Sequence, residues 1–167
     1  SNTSTISLKS AHGVVWDEEN EVIWALGMDG LTAYQVSEDG LLTQKTGMGV
    51  ELTACGGHAL STDYQDSNYL WITTAVDKVL KFDKTKNQVV SNYTYSDMAI
   101  DSTGRTLANA VHVKGITSFE DGTVVFCKPN GSGETSSTLC VIDSMGLRTY
   151  VFDNVAIYKV NKYDAKY

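Results

Sequence analysis

The sequence predicts an all-β chain, and three observations carry that expectation. Short runs rich in Val, Ile, Trp, Tyr and Thr recur along its 167 residues, the composition of pleated, half-buried strands. Clusters such as Asp17-Glu18-Glu19-Asn20, Met28-Asp29-Gly30 and Glu120-Asp121-Gly122 separate these runs and supply turn chemistry. Sustained apolar spacing of three and four residues, the mark of an amphipathic helix, is missing apart from a short ambiguous piece at 97–101.

The runs fall into repeats when the three histidines serve as anchors. A first unit, 11–48, opens with His12-Gly13-Val14-Val15-Trp16-Asp17. It continues through Val22-Ile23-Trp24-Ala25-Leu26 and Leu31-Thr32-Ala33-Tyr34 to a fourth run at 41–45. A second, 57–95, opens with His58-Ala59-Leu60-Ser61-Thr62-Asp63 and passes through Tyr69-Leu70-Trp71-Ile72-Thr73 and Val79-Leu80-Lys81-Phe82-Asp83 to a run at 89–95. A third, 111–153, opens with His112-Val113-Lys114-Gly115-Ile116-Thr117. Its later runs are Thr123-Val124-Val125-Phe126-Cys127, Leu139-Cys140-Val141-Ile142-Asp143 and 147–152.

The histidines stand 46 and 54 positions apart, and four short antiparallel strands in a period of about 40–50 residues match a β-propeller blade. The expected architecture is one domain, 1–167, forming a partial propeller of about three four-stranded antiparallel blades plus edge strands. Residues 3–8 read as the outer strand of an incomplete blade, and 155–163 as a terminal strand that pairs with a neighbouring blade. Propellers close with about four to eight blades, so three leave blade faces in need of cover. The remaining blades are expected from a portion N-terminal to this chain or from a second copy in a homodimer.

Net charge is −7 at pH 7. The acidic residues are scattered, which argues against a nucleic-acid footprint, and no apolar run is long enough to span a bilayer as a helix. Cys127 and Cys140 fall on neighbouring strands, where a bridge is possible, whereas Cys55 has no evident partner. A plain buried thiol is the ordinary state of such residues.

With these residues laid out, the chain resembles the C-terminal half of an uncharacterised family of exported bacterial β-propeller proteins. The resemblance is carried by Ala11-His12-Gly13-Val14-Val15-Trp16-Asp17 with Trp24-Ala25-Leu26-Gly27-Met28-Asp29, by Gly56-Gly57-His58 with Leu70-Trp71-Ile72-Thr73-Thr74, and by Phe82-Asp83-Lys84 and His112-Val113-Lys114. It implies a periplasmic or cell-surface location and further blades, one of which carries a fourth blade-initial histidine that this chain lacks. In layout alone the chain is similar to propeller lyases of oligogalacturonate, in which channel histidines hold a divalent metal.

The first strand of every propeller blade lines the central channel, so side chains at one repeat position point towards a common axial region. His12, His58 and His112 therefore form a candidate three-histidine site for zinc, manganese, iron or nickel. A small anion or the end of a glycan chain are alternative ligands, and isolated structural histidines the plain alternative. Lys114 lies two positions after His112 and faces the same side of a strand. It is a candidate catalytic base or carboxylate partner, set against an ordinary solvated lysine.

Trp24 and Trp71 read as core between blades; Trp16, nearer the channel, reads as core as well, with a ligand platform as its alternative role. Asp17 and Asp63 share a repeat position, suited to ligand binding or to capping the turn that follows. Three functions stay open: a binding module, a metal-dependent lyase acting on acidic oligosaccharide, and an interaction scaffold.

Overall fold

The computed structural model of the chain describes residues 3–52, 56–75, 78–94, 113–129 and 133–163. Twelve strands and no helix occur among them. β1 (Gly13–Asp17), β2 (Val22–Gly27), β3 (Gly30–Val36) and β4 (Leu42–Glu51) form the first sheet. β5 (Gly57–Thr62), β6 (Tyr69–Thr74), β7 (Lys78–Asp83) and β8 (Gln88–Thr94) form the second. The third holds β9 (Gly115–Ser118), β10 (Val124–Cys127), β11 (Thr138–Asp143) and β12 (Gly146–Val151). Each sheet follows chain order and every neighbouring pair is antiparallel.

The three sheets are propeller blades, because their cores lie between them. Strand side chains alternate from face to face, and in β6 both faces are covered. Leu70 and Ile72 join Trp24, Leu26, Leu60, Leu80 and Phe82 in the first seam. Trp71 points the other way and joins Ile116, Phe126, Cys140 and Leu147 in the second. Double-sided burial explains why Tyr69-Leu70-Trp71-Ile72 is continuously apolar where a one-sided strand would alternate. In the first seam the indole of Trp24 meets Phe82 edge-on, with ring centroids 5.3 Å apart.

Polar latches close the same seams. The Asp17 carboxylate, at the end of β1, accepts from Trp24 Nε1 at 2.8 Å and Asn20 Nδ2 at 2.9 Å, and pairs with Lys84 Nζ of the second blade at 3.0 Å. One seam further on, Asp63 accepts from Ser118 Oγ of β9 at 2.8 Å and pairs with Lys81 Nζ at 2.6 Å. Ser118 Oγ in turn accepts from Tyr64 N at 2.8 Å.

Close backbone approach decides two glycines. A Cβ on Gly13 would lie 2.5 Å from Leu60 Cβ and 2.9 Å from Leu60 N, so only glycine lets β1 sit against β5. A Cβ on Gly57 would lie 2.7 Å from Gly27 O. Gly57 is thus set by the end of β2 pressing on the second blade, and Gly56 before it by its positive φ of 57°.

β5 is flanked by β1 on one side and β9 on the other, giving an arc of three inner strands. Apolar side chains are exposed towards its ends: Val14 and Trp16 in the first blade, and Tyr150, Val151 and Phe152 in the third. Both edge segments differ from expectation. Residues 3–8 form no strand; Ser4 Oγ accepts from Leu42 N of β4 at 3.0 Å, and Lys9 O accepts from Met28 N at 2.8 Å, which holds this segment along the first blade. The run 155–163 makes one isolated bridge, Ile157 with Ser136 of its own blade, and then crosses the starts of the inner strands.

Candidate functional site

Register fixes which residues share a repeat position. Val15 faces Trp24, Ser61 faces Trp71 and Thr117 faces Val125. Three residues earlier in each blade stand His12, His58 and Lys114. The backbone agrees, because His12 N donates to Leu26 O and Lys114 N to Cys127 O, each at 2.9 Å, immediately before the paired glycines Gly13 and Gly115. In the third blade the position held elsewhere by histidine therefore belongs to Lys114. His112 lies outside the described residues.

His58 is the extra residue of a bulge, between the pairs Gly57 with Thr74 and Ala59 with Thr73. A bulge bends the strand and re-aims a side chain, and here the ring comes to lie with its centroid 4.9 Å from that of His12. Lys114 Nζ lies 2.6 Å from His58 Nε2 and 2.5 Å from Glu134 Oε2, although the Lys114 side chain is only 7% exposed and that of Glu134 is 77% exposed. An ammonium has only donors, so Nε2 accepts and the proton of a neutral imidazole sits on Nδ1. That atom is buried with no hydrogen-bond partner. The terminal segment adds a second cation: Lys159 Nζ donates to His12 O at 2.6 Å and His58 O at 3.1 Å.

Electrostatics keep the imidazoles neutral. Burial lowers the pKa of His58 below its usual value, its own backbone partly offsets this, and the charges of Lys114, His12 and Lys159 lower it further. Burial, then Lys159 and Lys114, do the same to His12. Burial and the neighbouring Lys114 lower Lys159 itself. With folded-state histidine pKa values below the unfolded value of about 6.5, the unfolded chain binds more protons in that window, so stability falls as pH drops below about 6.5. Urea unfolding between pH 7 and 5 is expected to show this decline, and His58→Gln is expected to flatten it.

The arrangement brings together His12, His58 and Lys114 and leaves the other candidates apart. Asp17 and Asp63 stand at the opposite ends of β1 and β5, committed to the seams. Trp16 is also at that end, 41% exposed, in contrast to buried Trp24 and Trp71. Cys127 and Cys140 are buried thiols, not bridged to one another, in different cross-strand pairs, Cys127 facing Leu139 and Cys140 facing Phe126. Burial pushes the Cys127 thiol up to about 11, which leaves it a poor nucleophile at neutral pH. Cys55 lies outside the described residues. Glu134 and Lys159 were not among the sequence candidates. Neither is a residue type that recurs at one position from blade to blade, the signal that marks the histidines.

This is the layout of a β-propeller, represented here by three blades. The WD40 β-propeller domain of Doa1 superposes with a TM-score of 0.53 at 13% identity, covering 93% of this chain and 44% of that one. KlHsv2 with loop 6CD replaced by a Gly-Ser linker matches with a TM-score of 0.49 at 12% identity, over 86% of this chain and 40% of that one. The chain thus spans less than half the length of either, and likeness at this identity concerns the fold alone. No protein-family model matches the chain, and no curated protein matches it in sequence.

Proposed function

We propose that this chain is part of a β-propeller binding module whose axial site takes a small anion through a carboxylate, with Lys114 as its anchor. One observation carries the reading: a buried ammonium is met by the carboxylate of an exposed arm, Glu134, at 2.5 Å. That carboxylate stands where a ligand's would stand, and a solvent-facing side chain is readily displaced. Lys159 adds a second positive charge, and two neutral imidazoles add hydrogen-bonding groups. The acidic end of a glycan chain is one source of such a carboxylate.

Zinc, manganese, iron or nickel fit the same residues less well. Among the described residues no group of three metal-ligating side chains occurs, His58 Nε2 already accepts from Lys114, and two ammonium groups repel a divalent cation. A three-histidine centre would require His112. Further blades would complete the ring, from the same polypeptide or from a second copy.

Calorimetric titration with malonate tests the reading. Wild-type protein is expected to bind it. Glu134→Gln, which removes the tethered competitor, is expected to bind about fivefold more tightly, the worth of an ion pair with one buried and one exposed partner, on the order of 1 kcal/mol. Weaker binding by Glu134→Gln, or stoichiometric retention of a divalent metal through purification, would overturn it.

A further inference from the structure

Inner strands of neighbouring blades meet through recurring contacts, and the terminal segment repeats two of them against β9. A Cβ on Gly13 would strike Leu60 of the next inner strand. A Cβ on Gly115, at the same repeat position, would lie 2.7 Å from Val160 N and 3.2 Å from Lys159 Cα. Val160 thus stands to the third blade as Leu60 stands to the first. We propose that residues 158–163 are the inner strand of a fourth blade, which makes Tyr158 the fourth side chain of the axial ring and a positioning residue for Lys114.

The other end of the segment fixes the same register independently. Ser118, two residues after Ile116, reaches the residues that follow β5: its Oγ donates to Asp63 at 2.8 Å and accepts from Tyr64 N at 2.8 Å. Lys162, two residues after Val160, does the same one blade further on. Its ammonium pairs with Glu120 and lies 5.8 Å from the centroid of the Phe119 ring, and its side chain is only 12% exposed. Glu120 and Phe119 are the repeat counterparts of Tyr64 and Asp63. The segment therefore runs beside β9 in the direction in which β9 runs beside β5.

That register sets the axial position. His12, His58 and Lys114 stand two residues before Val14, Leu60 and Ile116, and Tyr158 stands two before Val160. Their side chains touch in the same order. The rings of His12 and His58 are 4.9 Å apart, Lys114 Nζ is 2.6 Å from His58 Nε2, and the same Nζ is 5.6 Å from the Tyr158 ring centroid. The Tyr158 ring also meets His58 edge-on, with centroids 6.5 Å apart. An aromatic face attracts an ammonium, so Tyr158 gives Lys114 a third neighbour besides His58 and Glu134. Its ring is 44% exposed because the arc ends there. The inner strand of each sheet bonds only to the second strand of its own blade. No second strand accompanies 158–163 among the described residues, so its outer edge is left for that of the fourth blade.

Two readouts on the full chain test the strand without a ligand. Trypsin is expected to cut slowly after Lys159 in wild type and about tenfold faster in Gly115→Ala, whose Cβ presses on Val160 N and raises the open population. Tyr158→Ala is expected to move the His58 imidazole resonances, because it removes a neighbouring ring current. The positioning role rests on the anion reading above and is tested with malonate. Tyr158→Ala is expected to weaken its binding about three- to tenfold, the scale of a partly desolvated ammonium on an aromatic face, whereas Tyr158→Phe keeps the ring and stays within about twofold of wild type. Should wild type ignore malonate, the anion reading fails while trypsin and the His58 resonances still decide the strand. Cleavage after Lys159 at equal rates in wild type and Gly115→Ala, or His58 resonances unmoved by Tyr158→Ala, would overturn the fourth inner strand. Malonate bound equally by wild type and Tyr158→Ala would overturn the positioning role.

Discussion

Asp17→Ala is expected to destabilise the protein by about 3–5 kcal/mol, the cost of removing one partner from a buried ion pair. The side chains of Asp17 and Lys84 are 2% and 6% exposed, so the variant strands an ammonium between two blades and also orphans the Trp24 N–H. Urea unfolding measures the loss directly. Lys84→Met is expected to lose less, because Asp17 keeps its bonds from Trp24 and Asn20.

Acid should act on the same latch. Burial raises the Asp17 pKa, but the bonds from Trp24, Asn20 and Lys84 outweigh it and leave the value lowered. A lowered carboxylate pKa contributes stability that is present above the unfolded value of about 3.9 and is lost as pH falls through the folded value. Asp17→Ala is expected to lack that part of the acid dependence.

Lys114→Met is expected to weaken malonate binding about 10- to 100-fold, the scale of one or two charge-assisted hydrogen bonds of about 1.5–3 kcal/mol. The methionine keeps an unbranched apolar side chain of similar length while removing the donor. Lys159→Met is expected to cost less, because its ammonium already donates to the carbonyls of His12 and His58. Calorimetry on the three proteins ranks these effects. Equal binding by wild type and Lys114→Met would remove Lys114 from the anchoring role.

The blades were legible because short runs of β-branched and aromatic residues recur at near-even spacing, each bounded by turn residues; burial alternates in β1 but is double-sided in β5, β6 and β9. The fourth strand of the first blade was read short, at 41–45, whereas β4 runs to Glu51. An irregular register lies between Thr32 and Tyr34, and Gly47 and Gly49 adopt positive φ. The sequence around them therefore resembles a turn where the strand continues.

The third blade shows a different limit. Alignment by identity pairs His112 with His12 and His58, whereas backbone pairing puts Lys114 at their position. A slip of two residues leaves every side chain on its original face, so alternation alone could not reveal it. Asp17 and Asp63 were legible as turn residues, and Asp17 does bond Asn20. Their links to Lys84 and Ser118 depend on blades meeting in space, which local pattern does not encode. Glu134 and Lys159 belong to the same class.

The most direct measurement is the response of the His58 imidazole and Lys114 Nζ resonances to malonate by NMR. The account predicts that both shift together and saturate, that Glu134→Gln shifts at lower malonate concentration, and that Lys114→Met shows no saturable change at His58. Saturable shifts at His58 that persist in Lys114→Met, or resonances that respond to zinc and ignore malonate, would contradict an anion site anchored on Lys114.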